Sequence, residues 1–337
     1  MNDSSTIVEN MLIHHAAFVR AQKQLEQCFI YSANKAEAEG LAIIGESGTG
    51  KTSVLKDFKS THKPTRSTDG MEVPILYVKV PANPTVKSLQ GAIIHELGAS
   101  DSDRGTEGEK ERKVKILLRN TGNRMIMFDE FQHLYDRGTR RIMIHAADWL
   151  KGLIDDTRST IVVAGLPSAQ NVIEENPQLE RRFLAPIHLP QFSWHNVDER
   201  DGFCDILEVF HSAIAKEFKT PELHSEVMAY QFWRATEGQI ACLVKILRHA
   251  LRKAADEDRT VICLEDFAAA REISVSLKQW PVGEPKPFDR GFQLVPTLEM
   301  PNCVADLGSA ASSNPANSPR AGKRPRKESI DYLQRAS

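Results

Sequence analysis

Gly45-Glu46-Ser47-Gly48-Thr49-Gly50-Lys51-Thr52 fits the pattern G-x-x-x-x-G-K-T, and its flanks decide how the octet folds. Before it, Gly40-Leu41-Ala42-Ile43-Ile44 is a short apolar run ending at glycine, the profile of a strand buried on both faces. After it, Ser53 to Lys59 predicts a helix. A strand that turns through glycines into a helix leaves backbone N–H groups at the helix's positive end, where they close around phosphate oxygens. Gly45, Glu46, Ser47, Gly48, Thr49 and Gly50 are therefore expected to form a phosphate cradle. Lys51 adds a point charge near the β- and γ-phosphates, and Thr52 can ligate Mg²⁺. The expected ligands are ATP and Mg²⁺.

Similar apolar runs recur at 74–80 (PILYVKV), 124–128 (RMIMF), 160–164 (TIVVA) and 187–189. Helical patterns at 85–97, 109–118 and 140–154 separate them. Short apolar strands alternating with helices predict a doubly wound α/β domain with a mostly parallel sheet. The run Met125-Ile126-Met127-Phe128 ends in Asp129-Glu130, which puts Asp129 at the carboxyl edge of the sheet beside the phosphate loop. There it can hold Mg²⁺ through water, and Glu130 becomes the candidate base that orients or deprotonates an attacking water. A phosphate loop with a glutamate next to the metal acid favours nucleotide hydrolysis over transfer to a small acceptor. The strand at 160–164 should lie beside the acidic one, bringing Gly165, Pro167 or Ser168 to the γ-phosphate, and of these only Ser168 carries a hydroxyl. Arg181 or Arg182, just before the last strand, is the candidate arginine that reaches a neighbouring subunit's nucleotide.

Residues 7–32 carry Leu12, Phe18, Leu25 and Phe29 near helical spacing, which predicts one amphipathic leader helix within an N-terminal segment 1–38. The α/β core then spans 39–192. From 193 to 278 the strand signal vanishes and helical periodicity takes over at 204–218, 225–236, 240–255 and 264–277, predicting a small all-helical lid. Beyond Trp280 prolines and small residues crowd in, so 279–337 reads as a flexible tail carrying the basic cluster Lys323-Arg324-Pro325-Arg326-Lys327 and a short apolar segment at Tyr332-Leu333.

A hydrophobic fraction of 41% and a charged fraction of 26%, with no apolar run near the roughly 20 residues that span a bilayer, describe a globular chain outside the membrane. The polar, acidic first ten residues lack the form of a secretory signal. The five cysteines are scattered with no C-x-x-C pair, which fits reduced thiols in the cytoplasm better than a zinc site or a disulfide frame. A formal net charge of −2 provides no global cationic field, so any contact with nucleic acid must come from local patches or from repetition of subunits.

GESGTGKT at 45–52, VKVPANPTVKSLQGAIIHELGA at 78–99, MIMFDEFQHL at 125–134, WLK at 149–151, VVAGLPSA at 162–169 and LERRF at 179–183 together resemble the AAA+ family, and within it the TnsC/TniB proteins of transposons. The resemblance covers about residues 10–275. It implies an ATP-dependent target-selection ATPase that assembles as a homo-oligomeric ring or helical filament on double-stranded DNA. Such a protein recruits transposase subunits, responds to a target-site-recognition protein, and is dismantled by hydrolysis. In that family the duplex runs through the ring past the segment after the second strand. The implied DNA-binding candidates are Lys87, Lys110, Arg112, Lys113, Lys115 and Arg119. One departure stands out: relatives often carry an arginine after a Gly-Asn pair in the lid, whereas here Gly238-Gln239-Ile240 is followed by Ala241. Either Lys245 or Arg248 substitutes, or hydrolysis is slow and the nucleotide serves chiefly as an assembly signal.

Two other readings share the phosphate loop: an AAA+ loader of a helicase or clamp, and a nucleotide-gated interaction switch that binds no DNA. No side-chain constellation for DNA cleavage is evident in the sequence, so strand transfer would belong to a partner.

Overall fold

The apolar runs are nearly continuous rather than alternating because both faces of the sheet they form are covered. In the computed structural model, which describes residues 6–9, 11–32, 38–68, 70–274, 285–289 and 292, the strands are β1 (Gly40–Ile44), β2 (Thr65–Ser67), β3 (Gly70–Glu72), β4 (Ile75–Lys79), β5 (Met125–Asp129), β6 (Thr160–Gly165) and β7 (Ile187–His188). Five of them make one sheet of order β4-β5-β6-β1-β7, parallel at every pairing. The expected doubly wound α/β architecture is present. β2 and β3 form a separate antiparallel hairpin that the sequence reading did not anticipate.

The first helices are α1 (Thr6–Glu9), α2 (Ala16–Ser32), α3 (Lys51–Thr61), α4 (Val86–Glu96), α5 (Glu107–Asn120), α6 (His133–Asp136) and α7 (Arg140–Thr157). After them come α8 (Gln170–Glu174), α9 (Pro177–Glu180), α10 (Val197–Ile214), α11 (Glu226–Thr236), α12 (Ile240–Asp256) and α13 (Leu264–Ser274). Strand residues alternate between two cores. Ile126 and Phe128 of β5 face α4, α5 and α7 on one side, while Met125 and Met127 face α2 and α3 on the other. Local capping sets several helix starts: Thr85 and Thr106 each close a capping box with the third residue of the helix, and Thr139 and Asn196 each accept one backbone N–H.

A third core gathers Phe203, Phe210, Phe232, Leu247, Leu251 and Phe267 from α10 to α13. This helical part meets the sheet part at a tight junction. Phe192 N donates to Gly238 O, the Trp233 indole donates to Phe192 O, and a Cβ at position 238 would lie 2.0 Å from Phe192 O. Gly238 also sits at φ 73, so two separate constraints demand glycine there.

Two expectations are corrected. The leader is not one helix, because it serves two cores: Val8 of α1 is buried in the helical part, Phe18, Ala21 and Leu25 of α2 in the sheet part, and described residues 11–15 between them are non-helical. The stretch read as tail is not bare linker throughout its described part, because Phe288 is 2% exposed and packs edge-on at 4.9 Å from Phe232. The basic cluster at 323–327, the segment at Tyr332-Leu333 and Cys303 lie outside the described residues. No helix among the described residues is long and apolar enough to cross a membrane.

The helical part is tied internally by Asp266, 3% exposed, which accepts a bidentate pair from Arg259 at 2.8 Å, a bond from Cys263 N at 2.9 Å and an ion pair from Lys253 at 3.2 Å. The Arg259 bonds, helped by those from Cys263 N and Lys253, hold its carboxyl down to about 2. That lies below the unfolded value of about 3.9, so the stabilisation is fully present above pH ~4 and is lost as pH falls toward ~2. Asp266→Asn should cost about 2 kcal/mol at pH 6 by urea unfolding, and the gap from wild type should close below pH ~4.

Candidate functional site

β1 leads into the octet and α3 leads out of it, as the motif requires. Gly48 (φ 79) and Gly50 (φ 92) take backbone conformations closed to most side chains, and a Cβ at 50 would meet nothing within 4 Å, leaving the concave face of the loop open. The base of the loop is pinned from below. Thr49, 4% exposed, donates to Glu46 O at 2.9 Å, and a Cβ on Gly45 would collide with Leu189 O at 2.3 Å. The Lys51 ammonium folds over the loop onto Gly45 O (2.8 Å) and Glu46 O (2.7 Å). Burial pulls the Lys51 pKa below its usual value, opposed by Asp129, Glu130 and Glu46.

Asp129 stands at the carboxyl end of β5, 3% exposed. Its Oδ2 accepts from Thr52 Oγ1 (2.7 Å) and from Tyr77 Oη (2.7 Å), and its Oδ1 from Glu130 N (2.9 Å). A hydroxyl and a buried carboxylate in contact beside an open phosphate loop are hard oxygen ligands of the kind Mg²⁺ takes, so Thr52 and Asp129 are the residues that would hold it. When bound, the ion would neutralise phosphate charge. Burial and the bond to Asp129 keep the Tyr77 phenol well above its ordinary pKa, so it stays a donor. Glu130 turns through a left-handed backbone (φ 57), which swings its side chain off the strand direction, and its carboxylate accepts from Gln132 Nε2 at 2.6 Å.

Gly48, Gly50, Lys51, Thr52, Asp129 and Glu130 line a cleft of about 530 Å³, a volume suited to a nucleotide. One wall is the phosphate loop with Asp129, Glu130 and Gln132; another is the leader, including Val8, Ile13, His15 and Phe18; a third is Ile240, Ala241 and Val244 of α12. Burial, then Arg20 and His14, push the His15 pKa down to about 4, so a neutral imidazole faces the cleft at neutral pH. The leader wall, Tyr77 and Gln132 were absent from the sequence reading. Tyr77 was open to inference: Lys79 pairs with Asp129 in the parallel register, and Tyr77 lies on the same face two residues earlier.

Other expected residues are placed differently. Ser168 sits in a 3₁₀ turn after β6 and does not line the cleft; Leu166 does, because Pro167 turns the chain away. Ala241 packs against the phosphate loop, its N–H on Gly48 O at 3.4 Å, while neither Lys245 nor Arg248 lines the cleft. Arg248 instead pairs with Glu9 of the leader at 3.2 Å. Among the described residues lining the cleft, Lys51 is the single lysine or arginine. Arg182 is held by Asp155 at 2.5 Å, whereas Arg181 is exposed with no ion pair among the described residues.

The DNA-binding candidates also divide. Lys110 is 5% exposed and donates to Ser102 O, so its ammonium is spent holding the loop before α5 and is withdrawn from any phosphate. Lys115 pairs with both Glu111 (2.5 Å) and Asp156 (2.6 Å), Lys113 donates to Ser100 O and Arg119 to Asp156 O. Lys87 and Arg112 are exposed without an ion pair or hydrogen bond among the described residues.

Replacing Tyr77 by Phe removes one of three donors on Asp129. ATP turnover should fall about three- to tenfold while nucleotide affinity by fluorescence titration stays within about twofold.

The profile of the bacterial TniB protein matches residues 4–194, more than half of the chain. No curated protein matches the sequence significantly. Among solved structures, the Cdc6p of Pyrobaculum aerophilum superposes with TM-score 0.59 at 15% identity, covering 80% of this chain and 70% of that one. The Aeropyrum pernix ORC2 protein, solved as ADPNP-ADP complexes, gives 0.58 at 17%, covering 77% and 68%. A Walker-type ATPase of Pyrococcus abyssi gives 0.50 at 15%, covering 80% and 73%. The chain shares the fold of these proteins, and it belongs to the bacterial TniB family.

Proposed function

We propose that this chain is the ATP-dependent regulator that selects a transposition target: ATP assembles it as a homo-oligomer on double-stranded DNA, the assembly recruits transposase subunits and answers to a target-site-recognition protein, and hydrolysis dismantles it. Membership of the TniB family supports the transposition role. The observation that carries the assembly is the charge balance of the cleft. A bound nucleotide would bring phosphates that stay anionic even with Mg²⁺ to a site already holding Asp129 and Glu130, and Lys51 is the one lysine or arginine among the described residues lining it. Beyond Lys51 and a bound Mg²⁺, charge developing on the γ-phosphate has no second arginine or lysine among the described lining residues, and Arg181, exposed beside Glu180, Phe183 and Leu184, is the residue suited to supply one in trans. Arg182 has its partner in Asp155 and serves the fold.

In this reading 39–192 is the catalytic core, 193–278 a lid resting on the phosphate loop through Ala241, and the leader a strap across both. Glu130 acts as the base on the attacking water, held off the strand by its left-handed backbone. Lys87 and Arg112 are the residues that touch the duplex; repeated in every subunit, two weak phosphate contacts add along one DNA. The protein works in the cytoplasm, where its DNA is.

Negative-stain imaging with duplex DNA tests the proposal: ordered rings or filaments with a slowly hydrolysed ATP analogue, and none with ADP, are expected, while isolated particles in every state would return the chain to the loader or switch readings. Lys51→Ala should abolish nucleotide-dependent DNA binding. Glu130→Gln should keep assembly and slow turnover at least tenfold, about 1.4 kcal/mol of barrier. Mixing separates the arginines. Arg181→Ala and Lys51→Ala proteins, each inactive alone, should recover part of the ATPase activity when combined, because one mutant's intact phosphate loop meets the other's intact arginine. No recovery removes Arg181 from the trans role.

A further inference from the structure

Gln132 makes two hydrogen bonds from a buried position, 5% exposed, inside the catalytic cleft. Its Nε2 donates to Glu130 Oε2 at 2.6 Å, and its Oε1 accepts from Leu166 N at 3.2 Å. The second bond fixes the first: a backbone N–H can only donate, so the amide oxygen must face Leu166 and the NH₂ group must face the carboxylate. The site is shaped for this bridge. A Cβ at Gly165 would lie 2.7 Å from Gln132 Oε1, so glycine at the end of β6 is what leaves room for the amide. Phe131 N donates to Ala164 O at 2.9 Å and locks the same turn to the same strand end.

The backbone of Glu130 is anchored at both ends, its N–H on Asp129 and its carbonyl accepting from His133 N at 3.0 Å. Its side chain is not anchored that way: beyond Cβ, Gln132 is the hydrogen-bond donor that reaches it among the described residues. We infer that Gln132 is the positioning residue for the general base, an amide bridge that selects the Glu130 rotamer and ties it to the β6 end at Leu166. One carboxylate oxygen is taken by the amide, and the other is left to receive the proton of the attacking water. A base misplaced by 1 Å loses much of its effect, so the bridge acts on the chemical step and not on nucleotide binding. It also gives the nucleotide-facing end of β6 a direct mechanical hold on the base.

This inference rests on Glu130 being the base. The test compares full-length wild type, Glu130→Gln, Gln132→Ala and Gln132→Glu in steady-state ATPase assays with duplex DNA, alongside nucleotide affinity and thermal melting. Gln132→Ala should lower kcat about tenfold with ATP affinity within about twofold. Gln132→Glu keeps the shape of the side chain but sets a second carboxylate against the first, and should lower kcat further, toward a hundredfold. A space-filling role predicts instead that Gln132→Glu resembles wild type and that Gln132→Ala falls in melting temperature. Wild-type kcat in Gln132→Ala, raised kcat in Gln132→Ala, or wild-type kcat in Gln132→Glu would each overturn the inference. If Glu130→Gln keeps full turnover, the base assignment fails, a separate outcome.

Discussion

The carboxylate of Asp129 is the point on which this site depends. It is a charge removed almost entirely from water, a state tolerated only when its lone pairs are filled. Donors come from three directions: Thr52 at the start of α3, Tyr77 on the neighbouring strand, and the following backbone N–H. Each bond ties a different element to the end of β5, so the phosphate loop, the edge strand and the turn into Glu130 share one reference point. The parallel register, with Lys79 opposite Asp129 and Val80 N on Asp129 O, brings Tyr77 within reach.

The strand order adds a second constraint. β6 separates β5 from β1, so the acidic turn after β5 abuts the end of β6 before it reaches the phosphate loop. Phe131 N on Ala164 O and Gln132 on Leu166 N are consequences of that adjacency. Two cores of unlike construction then meet at the cleft, and the leader crosses between them, with Val8 in one and Phe18 in the other. A wall built from both parts responds to their separation.

Much of the architecture was legible because it rests on local chemistry. The five strands of the sheet announced themselves as apolar runs, since a parallel sheet covered on both faces needs no alternation. α4 and α5 begin where threonines provide caps three residues before Ser88 and Glu109. The hairpin of β2 and β3 escaped notice because Gly70, Met71 and Glu72 are exposed and carry no period to read. The leader appeared continuous because its apolar spacing fits one helix, though Val8 and Phe18 belong to different cores. The basic run along α5 looked like a uniform charged face, yet Lys110 turns inward to Ser102 O while Arg112 stays in solvent.

By itself the sequence determined the phosphate loop, the acidic strand end and the alternation of strand and helix, because each is encoded within a window of a few residues by backbone freedom, charge and period. Only the tertiary structure decided which side chains meet across long separations: Tyr77 on Asp129, Arg182 on Asp155, Arg248 on Glu9, Gln132 on Leu166. Those pairings follow from strand order and register, and from which of two nearby arginines the packing leaves in solvent. Such outcomes depend on the whole fold closing at once, and no local pattern carries them.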